Sequence, residues 1–65
     1  MSRPRETVVV RRPVHAQLIP HGDVYELPEG TLGVITQALG SSFTVHVDGF
    51  LMRIAGEDAD AIGKE

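Results

Sequence analysis

Few side chains in this sequence have types suited to chemistry, and their spacing decides what that chemistry is. His15, His21 and His46 are the metal-ligand candidates. No two of them fall at i, i+2 or i, i+4. His15 and His46 occupy the polar positions of alternating runs, and His21 sits in turn composition, so no ligand set of defined number and geometry is specified. Convergence of two or three in space would make a zinc or iron(II) carrier; solvated surface positions are the reading adopted. Asp58, Asp60 and Gly63 match the first, third and sixth positions of a calcium loop, but its fifth position is Ile62, which cannot ligate. An acidic helix start with a glycine cap accounts for the same residues. Gly30-Thr31-Leu32-Gly33 lacks the Lys-Ser/Thr or third glycine that would cradle phosphate. Ser41 and Ser42 have no base placed for them, and Glu26 and Glu29 flank a turn as solvated carboxylates. No catalytic residue, cofactor site or metal site is assigned, and an enzyme is not expected.

The elements that hold these residues must come from a small chain. Sixty-five residues make one domain at most, and a chain near that size buries only about 60% of its unfolded surface. There is no cysteine, so neither a disulfide nor a thiolate-held zinc or iron–sulfur site is available. Two phenylalanines, one tyrosine and no tryptophan leave Val, Ile, Leu and Met to fill the interior. Stability is expected from tight barrel closure, from self-association as a homo-oligomer, or from a neighbouring domain. No apolar run approaches the roughly 20 residues that span a bilayer, and no signal-like apolar region follows Met1–Arg5. A cytoplasmic protein with no membrane partner is expected. Residues 1–12 hold Arg3, Arg5, Arg11 and Arg12 against Glu6, a net of +3, whereas residues 13–65 carry −6. An acidic body disfavours nucleic-acid binding, which needs clustered Lys and Arg. Residues 1–5 read as a flexible basic tail and 6–65 as one small β-barrel domain.

Thr7–Arg12 is β-branched and reads as a strand ended by Pro13. Val14, Ala16 and Leu18 alternate with polar positions, Pro20-His21-Gly22-Asp23 is a turn, and Val24–Leu27 resumes an extended segment. Leu27-Pro28-Glu29-Gly30 fits a type I turn with Gly fourth. Thr31–Leu39 and Phe43–Val47 follow as strands. Asp48-Gly49 between alternating runs is a strong hairpin signal. Its two-residue loop pairs Val47 with Phe50, Val45 with Met52 and Phe43 with Ile54, putting six apolar side chains on one core-facing stripe. The preceding hairpin is open: a two- or four-residue loop at Gly40-Ser41 turns Val34, Thr36 and Ala38 inward, while a three-residue loop with a bulge turns Ile35 and Leu39 inward. Glu57–Gly63 reads as one short 3₁₀-like turn. The fold class expected is all-β, a small antiparallel SH3-like barrel of about five strands with a 3₁₀ turn near the C-terminus, and an open β-meander is second. Tyr25 and Leu51 fall outside the inner-face set. Either they close the second side of the barrel, the reading preferred for so small a domain, or with His46 and Arg53 they form the candidate partner surface.

The order of pieces is more specific than any one motif. Ala16-x-Leu18-Ile19-Pro20-x-Gly22, Leu27-Pro28-x-Gly30-Thr31, Ile35-Thr36-Gln37-Ala38-Leu39-Gly40 and Asp58-Ala59-Asp60-Ala61-Ile62-Gly63 together resemble the N-terminal domain of SufT-type iron–sulfur cluster assembly proteins, over about residues 6–65. The ITQALG and DADAIG segments carry most of the match. The resemblance implies an accessory role in maturing iron–sulfur clusters through protein contacts. It also implies a C-terminal metal–sulfur assembly domain beyond this chain that holds the cysteine chemistry. It transfers no functional residue. The function expected is a non-catalytic protein-interaction module assisting cluster assembly. The alternative is an SH3-like nucleic-acid or ribosome-associated module.

Overall fold

The structure is a computed structural model that describes residues 5–64, apart from the side chain of Leu39. Residues 1–4 of the expected basic tail lie outside it, as does the inward placement considered for Leu39; Arg5 is exposed. Six strands form: β1 (Glu6–Val9), β2 (Val14–Leu18), β3 (Val24–Leu27), β4 (Leu32–Leu39), β5 (Ser42–Val47) and β6 (Phe50–Ala55). A 3₁₀ helix (Gly56–Ile62) follows. The strand count is thus one above the expected five or so. All neighbours are antiparallel, in the spatial order β1-β4-β5-β6-β2-β3.

That order is not a meander, and it does not allow a flat sheet. The links Val10–Pro13 and Pro28–Thr31, four residues each, join β1 to β2 and β3 to β4, strands that stand four places apart in the sheet. Across a flat sheet four places are about 19 Å, whereas five Cα–Cα steps reach about 17 Å even when fully extended. The sheet therefore curls until its edges approach. The two links seal the approach: the Val10 N–H donates to the Thr31 carbonyl and the Gly30 N–H donates to the Val10 carbonyl, both at 2.8 Å. The result is an all-β shell of barrel shape.

Inside lie Val8, Val10, Val14, Ala16, Leu27, Ile35, Val45, Val47, Met52 and Ile54. Ala61 and Ile62 of the 3₁₀ helix join them and plug one end. Two backbone hydrogen bonds dock this helix, and a glycine ends it. The Gly56 N–H donates to the Ser41 carbonyl at 2.8 Å, the Arg11 N–H donates to the Ala61 carbonyl at 2.6 Å, and Gly63 (φ +73°) caps its C-terminus in the left-handed region. Arg11 and Arg12 therefore belong to this docking link and not to the first strand, which ends at Val9 instead of Arg12.

The Asp48-Gly49 hairpin forms in the expected register, Val47↔Phe50, Val45↔Met52 and Phe43↔Ile54. Asp48 (φ +52°) and Gly49 (φ +87°) both have positive φ, as a type I′ turn requires. The other hairpin combines elements of both alternatives. Its loop is the two-residue Gly40-Ser41, with Leu39↔Ser42 and Ala38↔Phe43, but a bulge between Ile35 and Gln37 then shifts the pairing to Ile35↔Val45. Unshifted pairing would set the Thr36 hydroxyl against Val45 in the core. The bulge buries Ile35 instead and leaves Thr36 half-buried, which avoids placing a polar group among apolar ones. The turn before β4 also differs from expectation. The Thr31 N–H donates to the Pro28 carbonyl at 3.2 Å, so the turn is Pro28–Thr31 with Gly30 (φ +93°) third, the position where a type II turn demands positive φ.

Candidate functional site

Strand pairing decides which of the expected surface residues share a face. His46 stands opposite Leu51, and Arg53 follows Leu51 by two on β6, so these three lie together on the outer face. Tyr25 does not join them. It pairs with the fully buried Ala16 and so projects from the inner side of the sheet, on the edge strand β3. The proposed four-residue surface is therefore two surfaces. Arg53 also borders a hollow of mixed polarity, roughly 520 Å³, with His15, Ser41, Ser42, Glu57 and Asp58. That hollow mixes both signs of charge.

Tyr25 faces a cleft at the mouth of the barrel. The 3₁₀ helix plugs the end where β6 finishes; the cleft opens where β6 begins, beside the Asp48-Gly49 turn. Leu27, Val47 and Met52, all buried, and the partly buried Leu18 form the base of a cavity of roughly 360 Å³. Tyr25 and Phe50 stand at its rim, 48% and 54% exposed. Glu26 and the Asp48 turn complete the lining; Glu26 pairs with His15 and so projects its carboxylate from the outer side of the sheet, opposite to Tyr25.

Phe50 corrects the sequence reading, which placed it in the core stripe. The other five members of that stripe are buried or packed against the core. Phe50 is the first residue after the turn and stands at the barrel mouth, 54% exposed, although its partner Val47 is buried. Its adjacency to Asp48-Gly49 was the available signal. Two of the three aromatic side chains thus sit at one opening, in a protein with few large apolar groups to fill its interior.

The acidic residues of the calcium-like segment have a partner within the fold. The Arg12 guanidinium donates through Nε and Nη2 to the two oxygens of Asp60, at 2.8 and 2.7 Å, and through Nη2 to Asp58 at 3.2 Å. These bonds, Asp60 first, raise the Arg12 pKa above its ordinary value, and the Arg12 hydrogen bond holds the Asp60 carboxyl below its ordinary 3.8. Lys64 is likewise paired, with Glu6 at 2.8 Å. Among the described residues no group of three or more His, Cys, Asp or Glu side chains is placed to hold a metal ion. No described helix is long and apolar enough to cross a membrane.

No family model, curated protein or solved structure matches this chain. The cleft is therefore read from its own chemistry: an apolar cavity with two half-exposed aromatic side chains at its rim.

Proposed function

We propose that this protein is a non-catalytic docking module, which engages a protein partner through the Tyr25–Phe50 cleft and serves iron–sulfur cluster assembly or maturation in the cytoplasm. The observation that carries the docking role is the open cleft itself. Burying half-exposed Tyr25 and Phe50 against a partner removes apolar area from water, and aromatic side chains at such positions dominate interface energetics. The place in cluster assembly rests on the resemblance of the ITQALG and DADAIG segments. In this fold those segments form the end of β4 and the capped 3₁₀ helix, so the likeness concerns architecture, and cluster chemistry falls to the partner.

Complementation tests both parts. In cells lacking this gene, the activity of a [4Fe–4S] dehydratase falls, and wild-type protein restores it whereas Tyr25→Ser/Phe50→Ser does not. Unchanged dehydratase activity on deletion rejects the role in cluster assembly; full rescue by the double variant rejects the cleft as the docking surface. The nucleic-acid alternative is less favoured by the charges, because Arg12 and Lys64 are engaged in ion pairs and the body carries net negative charge. Oligonucleotide binding with a steep loss of affinity in salt would restore it.

A further inference from the structure

We infer that two copies of this protein associate through the open edge of β3, paired as antiparallel strands centred on Tyr25. The inference goes beyond the docking reading and does not depend on it. β3 is the last strand of the sheet, so one side of it has no neighbouring strand. Two hydrogen bonds made by β2 and the residue after it decide which backbone groups face that side. The Leu18 N–H donates to the Asp23 carbonyl at 2.7 Å, on the β3 side, and the Ile19 N–H donates to the Leu51 carbonyl at 2.9 Å, on the β6 side. Directions alternate along a strand, so Ala16 and Val14 also point toward β3, where Tyr25 and Leu27 are their partners in register. Val24 and Glu26 therefore aim their N–H and C=O groups away from β2, at the open side. Among the described residues no backbone hydrogen bond outside the strand ladders reaches either of them. Val24 is 60% exposed and Tyr25 48%, an apolar edge of the kind that recruits another strand. The opposite edge of the sheet is already flanked: residues 62–64 share a hollow with β1, and Lys64 holds Glu6 at 2.8 Å.

β3 is complementary to itself in one register. A two-fold axis at Tyr25 sets Val24 against the second copy's Glu26, and Glu26 against its Val24. Those are the residues whose backbone groups face the open side, so four N–H···O=C bonds form across the axis. The two Tyr25 side chains then face each other as a close pair, and aromatic cross-strand pairs stabilise sheets. The neighbouring registers fail. One sets Glu26 against Glu26, like charges directly opposite, and Val24 against Pro28, which has no N–H. The other sets Glu26 against Gly22, whose N–H is already bonded to the Leu18 carbonyl and whose φ of +89° is not a strand conformation. Tyr25 projects from the inner side in both copies, so pairing brings the two clefts side by side. The interface is small and each chain carries −3, so the dimer is weak, with a Kd on the order of 100 µM.

Sedimentation equilibrium from about 5 µM to about 1 mM protein, in about 0.15 M salt, is the first test. The expected result is a monomer–dimer equilibrium that Glu26→Pro weakens by about tenfold or more, through the loss of one N–H donor from each copy. Proline at position 26 removes only an outward N–H, so the β2–β3 ladder is kept. The second test reads the register. The chain has no cysteine, so each single variant carries one thiol. Under oxidised glutathione Tyr25→Cys should form a disulfide-linked dimer, because the paired Cα atoms lie about 4.5 Å apart and a disulfide spans about 4.4–6.8 Å. Val24→Cys and Glu26→Cys should not, because in this register like positions are diagonal neighbours about 7–8 Å apart. A monomer at every concentration overturns the inference. So does a Glu26→Pro protein that associates as strongly as the parent, or faster linking of Val24→Cys or Glu26→Cys than of Tyr25→Cys. If the protein is monomeric and Glu26→Pro also fails to complement the deletion, the edge takes a foreign strand and self-pairing falls. The docking reading fails on a different result, full rescue by Tyr25→Ser/Phe50→Ser.

Discussion

Replacing Gly33 by alanine adds a single methyl group at a tight apolar approach inside the barrel. Gly33 lies in β4 beside Val8 of β1, and the bulge at Thr36 turns it inward. A Cβ built there would come within 2.8 Å of Val45 Cγ1 and 3.1 Å of Val47 Cγ2. Val45 is 1% exposed and Val47 6% exposed, and β-branched side chains have little rotameric freedom to yield. Overpacking of this kind costs about 1–3 kcal/mol. Alanine also restricts the unfolded chain, which offsets about 0.4–1 kcal/mol. The net expected loss is about 1–2 kcal/mol, a fall in Tm of roughly 5–15 °C for a domain of this size. Urea and thermal unfolding measure it directly. A second variant isolates the cause. Val45→Ala alone removes buried methyl groups and should cost about 2 kcal/mol, but in the Gly33→Ala background it also relieves the clash, so its cost there should drop by about 1 kcal/mol. A Gly33→Ala protein as stable as the parent, or a strictly additive cycle, refutes the claim that the bulge packs Gly33 against these valines.

Two further outcomes concern the ends of the barrel. Arg12→Gln should lower Tm by a few degrees near neutral pH and remove part of the acid sensitivity. Asp60 titrates below its ordinary value in the folded state, so the clamp's contribution is fully present above the unfolded-state value of 3.8 and is lost as pH falls through the lower folded-state value; equal acid-unfolding profiles for the two proteins would count against the clamp. Gly49→Ala should cost about 1–2 kcal/mol, because Gly49 holds φ +87° with open space around it and the penalty is purely conformational; urea unfolding with no loss of stability would contradict the turn assignment.

The local features were legible because they rest on nearest-neighbour chemistry. Asp48-Gly49 set its own register through the positive φ that a type I′ turn needs, and the alternation of Val14, Ala16 and Leu18 marked an inward face. The glycine-capped 3₁₀ helix at Gly56–Ile62 could likewise be read from its acidic start and Gly63. The candidate surface was legible only residue by residue. Leu51, His46 and Arg53 share a face because period-two alternation places them there, whereas Tyr25 was grouped with them only because it falls outside the stripe of β5 and β6; its side is set by pairing with Ala16, which the sequence does not register.

By itself, then, the sequence determined an all-β chain of short antiparallel strands, one firm hairpin register and the absence of any thiol chemistry. Each of these follows from residue identities or from contacts a few positions apart. Tertiary structure alone decided the rest. The bulge at Thr36 follows from competition between a hydroxyl and an isoleucine for the space beside Val45, which no local rule ranks. The Arg12–Asp58–Asp60 clamp joins residues 46 and 48 positions apart. The cleft exists because a curled sheet is plugged at one end by its 3₁₀ helix and left open at the other. Only that closure brings Tyr25 and Phe50, from two segments of chain, to one mouth.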